Sequence, residues 1–227
     1  MRIFRRGRPP RSVLERLSAA GAWAFDWDGT LLDSIGRTFA TYRVLFAELG
    51  VPFDEALFRR HQAPDWRQLY RAVGLPEERW AEADHRWLAL YESEVSSLLP
   101  GAREALETLR ARRVPLALVS GGQRRRVELE LRANGLEGFF DALVHGDEVP
   151  RRKPDPASMT LAGRYLHVDP RRLVMVGDHP DDMRMAASAG ALPIGVLSGT
   201  SDRRALRAAG ARWTAESAEA VVRAALA

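Results

Sequence analysis

The feature that most constrains the fold is a regular alternation of short apolar segments and helical segments after Pro100-Gly101. The apolar segments have the length of strands, and the segments between them carry apolar residues at helical spacing. Strands that alternate with helices form a parallel sheet with right-handed crossovers. The predicted strands are Val114–Val119, Ala142–Val144, Leu173–Val176 and Pro193–Val196, and the predicted helices are 102–112, 123–133, 156–166, 183–189, 202–209 and 216–226.

A further buried strand is predicted at residues 22–26, and a block of helices separates it from the alternating region. These helices are predicted at 38–49, 53–60, 65–73 and 77–97, with no convincing strand among them. We therefore predict an α/β protein with a Rossmann-like parallel sheet core and an inserted α-helical cap. The predicted divisions are a basic leader at 1–20, a core at 21–34 and 99–227, and a cap at 35–98. The leader includes a short predicted helix, with Ser12 as its N-cap.

Composition excludes several classes of protein. The chain has no cysteine, which rules out disulfides, thiolate catalysis and cysteine metal sites. No apolar run approaches the length of a membrane span, and no apolar segment of a signal peptide follows the basic N-terminus. We expect a cytoplasmic protein without a membrane partner, as a monomer or small homo-oligomer.

The basic residues are distributed unusually. The net charge is only +4 although the sequence pI is about 10.0. The clusters Arg2–Arg11, Arg124–Arg126 and Arg151–Lys153 are separated in sequence, which favours solvated surface over a nucleic-acid interface. Lys153 is the only lysine, so the other 33 of the 34 basic residues (34 − 1) are arginine. Lysine is a compact point charge where arginine is a planar fork, so this position has either a chemical reason or a chance one.

Two acids follow the first predicted strand. Asp26 lies at its carboxyl end, and Asp28 lies two residues further, on the same side of an extended chain. Open α/β sheets bind their ligands at this edge. Two converging carboxylates repel one another unless a cation such as Mg²⁺ lies between them. The alternative is an ordinary Asp-Gly turn at Gly29.

Later strand ends carry further polar groups. Ser120-Gly121 offers a hydroxyl and backbone N–H groups to an anionic oxygen, although a simple turn would have the same sequence. Lys153 precedes a helix in a proline-rich loop, where an exposed lysine is the alternative. Asp178 ends another strand, and Asp182 follows near a helix N-terminus, where capping is the alternative.

This order of carboxylate pair, hydroxyl, lysine and carboxylate resembles the haloacid dehalogenase-like (HAD) superfamily of phosphohydrolases. The resemblance rests on Asp26-Trp27-Asp28-Gly29-Thr30, Ser120, Lys153, Gly177-Asp178 with Asp182, and the position of the cap. It covers nearly the whole chain except the leader. The motif from Asp28 to Ser34, with the helical cap, looks like the subfamily of phosphoglycolate phosphatase and β-phosphoglucomutase.

The resemblance implies a role for each matching residue. Asp26 would be the nucleophile that forms an aspartyl-phosphate, and Asp28 the general acid and base. The metal would be Mg²⁺, bound by the Asp26 carboxylate, the Asp28 carbonyl and the Asp178 carboxylate. Ser120, Gly121 and Lys153 would bind the phosphoryl oxygens. Thr30 and Asp182 would orient the residues that bind metal and phosphate, and Asp182 would orient Lys153 or a metal-bound water.

The resemblance also limits the activity. The implied function is hydrolysis of a small phosphorylated metabolite, either phosphoglycolate-like or a sugar phosphate. Dehalogenase relatives lack the acid present here as Asp28, and relatives that form a Schiff base need a cap lysine, which residues 35–98 do not contain. A β-phosphoglucomutase-like mutase and a non-catalytic phospho-ligand-binding protein remain as alternatives.

The sequence of the cap and the loop residue His179 do not identify the substrate. His179 stands where the family often has a small hydroxyl residue, and it is expected to face solvent or to contact phosphate. A predicted turn could overhang the site, and Arg67 or Arg71 in it would suit a substrate carboxylate or second phosphate. Trp66, Tyr70 and Trp87 are expected in the cap core. The turn residues are His61, Gln62, Asp65, Trp66, Arg67 and Arg71.

Overall fold

The computed structural model describes residues 8–227, and its central feature is a six-stranded, fully parallel sheet. The predicted α/β fold with a parallel sheet is confirmed. The strand order is β3-β2-β1-β4-β5-β6. The strands are β1 (Ala22–Phe25), β2 (Leu116–Val119), β3 (Ala142–Val144), β4 (Leu173–Gly177), β5 (Leu192–Val196) and β6 (Trp213–Ala215).

Both faces of this sheet are covered, which explains why its strands read as continuous apolar runs. Trp23 and Phe25 of β1 belong to one buried cluster, and Ala22 and Ala24 belong to the cluster on the opposite face. β1 lies between β2 and β4, where the order of the strands reverses. The carboxyl end of β1 therefore opens into the crevice where such sheets bind ligands.

Eleven α-helices and two short 3₁₀ turns, Glu77–Arg79 and Pro170–Arg172, accompany the sheet within residues 8–227. The helices are α1 (Arg11–Ser18), α2 (Ile35–Glu48), α3 (Glu55–His61), α4 (Arg67–Ala72), α5 (Trp80–Tyr91), α6 (Ala102–Ala111), α7 (Arg124–Ala133), α8 (Ala157–Leu166), α9 (Pro180–Ser188), α10 (Arg203–Ala208) and α11 (Ala218–Leu226).

Helices α2 to α5 form a helical insert between β1 and α6, with a core of its own. α2 packs against α5, and the buried cluster between the helices is rich in aromatic rings, including Tyr42, Phe46, Phe58 and Tyr70. Tyr42 and Phe46 stack with centroids 5.5 Å apart. The core of the insert is therefore separate from the two clusters that cover the sheet.

Several predicted boundaries differ from the structure. Ser12 is not an N-cap, because α1 begins at Arg11 after Pro10 and has no side-chain cap. The last helix of the insert ends at Tyr91 rather than at residue 97, since Asp33 N–H binds the Ser97 carbonyl and returns the chain to the core. α9 begins at Pro180 rather than at 183, because proline needs no N–H acceptor in a first turn. The strand β6 was not predicted.

The predicted leader is only partly described. Residues 1–7, which include the first part of the basic cluster Arg2–Arg11, lie outside the described residues. Within the rest, Arg8 and Arg11 are exposed, whereas Val13 and Leu17 pack into the core beneath α1. α1 is therefore part of the folded core. In the described part of the chain, no helix has both the length and the apolar character of a membrane span.

Candidate active site

Three carboxylates meet at the carboxyl edge of the sheet. Asp26 follows β1, Asp178 follows the neighbouring β4, and Asp182 lies in the first turn of α9. One carboxylate oxygen from each lies within 4.8 Å of the others, and all three residues are buried. Thr30 Oγ1 donates to Asp178 Oδ1 at 3.0 Å, and the Thr200 N–H donates to Asp178 Oδ2 at 3.3 Å. The fold thus gathers acids that are far apart in sequence.

Lys153 lies in the middle of this cluster and is 3% exposed, so the exposed-loop interpretation is wrong. Its Nζ donates to Asp26 Oδ1 at 2.5 Å and to the Val119 carbonyl at 2.7 Å. Nζ also lies 2.7 Å from Asp182 Oδ1, an oxygen that has no partner with hydrogen-bond geometry. Burial opposes the charged form, yet Asp182 and Asp26 raise the pKa of Lys153, so it stays an ammonium ion.

Asp182 serves both uses considered from the sequence. Its Oδ2 accepts from the His179 N–H at 3.1 Å, which completes a capping box, while its Oδ1 faces Lys153. His179 does not simply face solvent, because its Nδ1 accepts from the Asp181 N–H at 3.2 Å and caps α9. The side chain also lines the cavity above the carboxylates. Burial lowers the pKa of His179, which favours the neutral ring that this cap requires.

The acidic cluster is electrostatically unfavourable as it stands. Burial raises the pKa of Asp26 well above its ordinary value, and the Lys153 ammonium opposes this while Asp182 and Asp178 add to it. Burial and then Asp182 raise the pKa of Asp178 to about 7. A divalent cation would relieve both effects. The donors are all oxygen atoms, as Mg²⁺ requires, so these residues fit a magnesium ion.

Asp28 lines the same cavity but is bound by other partners. Arg126 donates to both of its oxygens, at 2.8 and 2.5 Å, and Ser34 Oγ donates to Oδ1 at 2.5 Å. Burial favours the protonated acid, but Arg126 and Ser34 together lower the pKa of Asp28. Asp28 is therefore held as a carboxylate in this arrangement. Gly29 beside it has a φ of 75°, so an Asp-Gly turn is also present.

The sequence did not predict the network behind Asp28. Arg126 was assigned to a solvated cluster, but that is wrong, because it is 5% exposed and also donates to Glu130 at 3.2 Å. Glu130 is fully buried and accepts from Trp27 Nε1 at 2.7 Å. The guanidinium also lies over Trp87 and Tyr91 of the insert, 6.0 and 5.4 Å from the ring centroids. Arg126 thus connects Asp28 to the insert.

The Ser120-Gly121 turn borders the cavity after β2. Ser120 is buried, and its Oγ accepts from the Gly122 N–H at 3.0 Å, so the hydroxyl supports the turn. Gly121 lines the cavity, and a side chain there would overlap Pro64 of the insert. Lys153 binds the carbonyl of Val119, the residue just before Ser120. The lysine is therefore anchored at the end of β2, directly before the turn.

The helical insert forms the outer part of this cavity. The turn that was expected to overhang the site contributes Gln62, Ala63, Pro64 and Trp66, but Arg67 and Arg71 do not line the cavity. Arg71 instead lies over the Trp80 ring, 5.0 Å from its centroid. The expected cap-core aromatics pack in the insert and also line the cavity, together with aliphatic and polar residues: Ile35, Thr38, Tyr42, Trp66, Leu69, Tyr70, Asp84 and Trp87.

Comparison with known proteins agrees with this geometry. A family model described as "Haloacid dehalogenase-like hydrolase" matches residues 24–196. The chain belongs to this family of hydrolases. The predicted resemblance is confirmed.

Individual relatives point to phosphate ester chemistry. The chain is 34% identical to the phosphorylated carbohydrates phosphatase of Thermotoga maritima, over 82% of this chain and 90% of that protein. It is 32% identical to the phosphoglycolate phosphatase of Chromobacterium violaceum, over 82% and 89%. The structure of CbbY from Rhodobacter sphaeroides in complex with phosphate matches with a TM-score of 0.74 at 25% identity, over 88% of this chain and 95% of that one. The predicted enzyme class, a phosphoric monoester hydrolase, is confirmed.

Proposed function

We propose that this chain is a Mg²⁺-dependent phosphatase that hydrolyses a small phosphate monoester through an aspartyl-phosphate on Asp26. The observation that carries the proposal is the buried cluster of Asp26, Asp178 and Asp182 around the single lysine, with Asp26 and Asp178 lining the cavity. The cluster combines a carboxylate nucleophile, a fixed cation and a set of oxygen ligands. We also propose a cytoplasmic location and a monomeric or small homo-oligomeric state.

In the first half of the reaction, an Asp26 oxygen attacks phosphorus and the bond from phosphorus to the leaving oxygen breaks. Asp28 gives its proton to that oxygen, so an alcohol departs and Asp26 carries the phosphoryl group. In the structure, Arg126 and Ser34 bind Asp28 in its ionised form. Asp28 therefore has to exchange the Arg126 contact for a proton before this step.

In the second half, water attacks phosphorus and the bond from phosphorus to Asp26 breaks. Asp28 accepts the proton of the water, inorganic phosphate leaves, and both aspartates return to their starting forms. An ionised Asp28 is the form needed here, and the contacts of Arg126 and Ser34 with it favour that form. The two halves thus use the two protonation states of one side chain.

The residues that would hold Mg²⁺ are Asp26, Asp178 and the backbone carbonyl of Asp28. When bound, the ion supplies positive charge that offsets the repulsion between the Asp26 carboxylate and a phosphate dianion. Thr30 would fix the orientation of Asp178, to which it donates at 3.0 Å. Asp182 would hold Lys153 in place.

The phosphoryl oxygens would be bound by Ser120, the Gly121 N–H and Lys153. Gly121 lines the cavity beside Asp26, Ser120 precedes it in the same turn, and Lys153 lies 2.5 Å from the attacking carboxylate. Donors fixed in a buried site stabilise the charge that moves onto the equatorial oxygens in the transition state. A phosphate dianion would replace the Asp26 oxygen as one partner of Lys153.

The test measures phosphate release from a panel of monoesters with Mg²⁺ or with EDTA, for the wild type and Asp26→Asn. We expect release that requires Mg²⁺ and falls below detection in the variant, with the melting temperature little changed. Release by Asp26→Asn at the wild-type rate would remove Asp26 as nucleophile. An isomerised sugar phosphate in place of free phosphate would identify the enzyme as a mutase.

A further inference from the structure

We propose that the outer end of the cavity selects an uncharged, hydroxylated ring as the leaving group and rejects a carboxylate, with Asp84 as the specificity-determining residue. This inference rests on the proposed phosphatase function and specifies its substrate class. The outer end, called here the leaving-group pocket, is formed by Tyr42, Trp66, Tyr70, Asp84 and Trp87 of the insert.

The pocket is built from two helices of the insert. α2 presents Thr38 and Tyr42 to the cavity, and α5 presents Asp84 and Trp87, which lie close together on one helix face. Asp84 is fixed by two hydrogen bonds to the same oxygen, because Trp66 Nε1 donates to Oδ1 at 2.8 Å and the Tyr70 hydroxyl donates at 2.9 Å. Neither bond uses Oδ2, which is left to accept a hydrogen bond from a ligand.

The charges around the pocket oppose a carboxylate. Arg126 is the only lysine or arginine among the described residues that line the cavity, and both Asp28 and Glu130 already bind it. Arg152 lies outside the pocket over the Trp66 ring, 3.8 Å from its centroid, and donates to the Gly121 carbonyl. Burial raises the pKa of Asp84 while Arg67 and Arg152 lower it, so the nearby cations already interact with Asp84 itself. A substrate carboxylate beside Asp84 would lose water and face a second acid rather than a free cation.

The polar groups match hydroxyls instead. Trp87 Nε1 is a buried donor without a hydrogen-bond partner in the described structure, and Asp84 Oδ2 is an acceptor. A hydroxyl both donates and accepts, so neighbouring hydroxyls on one ring satisfy both groups, whereas a carboxylate can satisfy only the indole donor. The aromatic rings supply flat apolar surface for the C–H face of the ring. The pocket therefore has the chemistry of a polyol site.

The experiment compares kcat/KM for glucose 6-phosphate, as a probe of hydroxylated rings, and for phosphoglycolate, both with Mg²⁺. We expect the wild type to favour the sugar phosphate by about tenfold or more, because a site built to bind hydroxyls rejects ligands that leave its polar groups unpaired. Asp84→Asn keeps the acceptor for Trp66 and Tyr70 but replaces Oδ2 with an amide donor. This variant should reduce the sugar-to-phosphoglycolate ratio by about tenfold.

The matched control is Glu82→Gln, which makes the same change of charge on the exposed face of α5, where Glu82 faces Arg79. It should leave the ratio unchanged. Trp87→Phe is a second variant that keeps a ring but removes the buried donor, and it should raise KM for glucose 6-phosphate more than it lowers kcat. Melting temperatures report whether each variant folds.

Two results would overturn the inference. One is a wild type that prefers phosphoglycolate, and the other is a ratio in Asp84→Asn equal to that of Glu82→Gln while Trp87→Phe leaves KM unaltered. Either result is distinct from failure of the proposed function. That failure would appear as no Mg²⁺-dependent phosphate release from either substrate or from p-nitrophenyl phosphate.

Discussion

At the scale of single residues, Lys153 shows why one lysine stands among arginines. Its Nζ lies within 2.7 Å of three oxygens, from Asp26, Asp182 and the Val119 carbonyl, and its side chain is 1% exposed. An ammonium ion can direct its protons to three such oxygens, whereas a guanidinium is a larger, planar fork. The space around Lys153 is therefore specific for lysine.

The corresponding prediction concerns Lys153→Arg. We expect kcat to fall about 100-fold or more, because the fork cannot occupy the same point and the proposed donor to the phosphoryl group is lost. Steady-state kinetics on the best monoester would measure the loss. Arg151→Lys is the control, since Arg151 is largely exposed and pairs with Asp155 at 3.0 Å. A Lys153→Arg enzyme as active as this control would contradict the assignment.

A second prediction concerns Gly199, which follows β5 beside Asp178. A Cβ at this position would overlap the Asp178 carboxylate, so the substitution Gly199→Ala should displace the Asp178 side chain. We expect the apparent affinity for Mg²⁺ to fall by about tenfold or more, as measured by activity over a Mg²⁺ titration. Gly36→Ala in α2 is the control, because nothing lies within 4 Å of the added methyl. The control should stabilise its helix by about 0.5–1 kcal/mol and leave Mg²⁺ affinity unchanged.

At the scale of elements, α7 and the loop after β1 are joined by a buried hydrogen bond. Glu130 is fully buried on α7, and Trp27 Nε1 donates to it at 2.7 Å. Arg126, one turn earlier on α7, binds both Glu130 and Asp28. The helix therefore holds the position of Asp28 through a network in which every charged group has a partner.

We expect Trp27→Phe to destabilise the protein more than Trp23→Phe does. Both tryptophans are buried, at 0% and 3% exposed, so the loss of ring volume is similar. Only Trp27→Phe leaves Glu130 without its indole donor, which costs about 1–3 kcal/mol more. Urea denaturation of the two variants measures the difference. Equal free energies of unfolding would mean that the Trp27–Glu130 bond adds no net stability.

At the scale of the whole molecule, stability should depend on pH and Mg²⁺ together. The pKa of Asp178 is raised to about 7 by burial and by Asp182, above its ordinary value near 4. In the metal-free protein, Asp178 therefore binds its proton more tightly in the folded than in the unfolded state, so its contribution to stability falls as pH rises between about pH 4 and 7. The proposed Mg²⁺ ion requires the ionised carboxylate and would reverse this loss at high pH.

The expected result is a Mg²⁺-induced rise in melting temperature that is larger at pH 8 than at pH 5.5. Differential scanning calorimetry with Mg²⁺ or with EDTA at the two pH values would measure it. Asp178→Asn should remove most of the shift at both pH values, because it removes the titrating group and a proposed Mg²⁺ ligand together. A shift that is equal at both pH values would contradict the raised pKa of Asp178.

The sequence predicted the sheet and the residues at its edge better than it predicted their partners. Asp26 and Asp178 could be placed together because each ends an apolar strand, and parallel strands end at one edge. Arg126 could not be recognised, because it follows two other arginines and its burial depends on the distant Asp28 and Trp87. β6 was missed because its three residues include the polar Thr214, whereas β3, equally short, is apolar throughout.

The single buried lysine also determines where amine-directed reagents can react with a side chain of this protein. Lys153 carries the only side-chain amine of the chain, and that amine lies among the carboxylates of the site. Acylating probes and lysine-directed crosslinkers therefore find no other side-chain target, on the surface or elsewhere. The rate at which Lys153 is labelled depends on access to the site and on loss of the proton that Asp182 and Asp26 help it keep, and a bound phosphate ester should lower this rate.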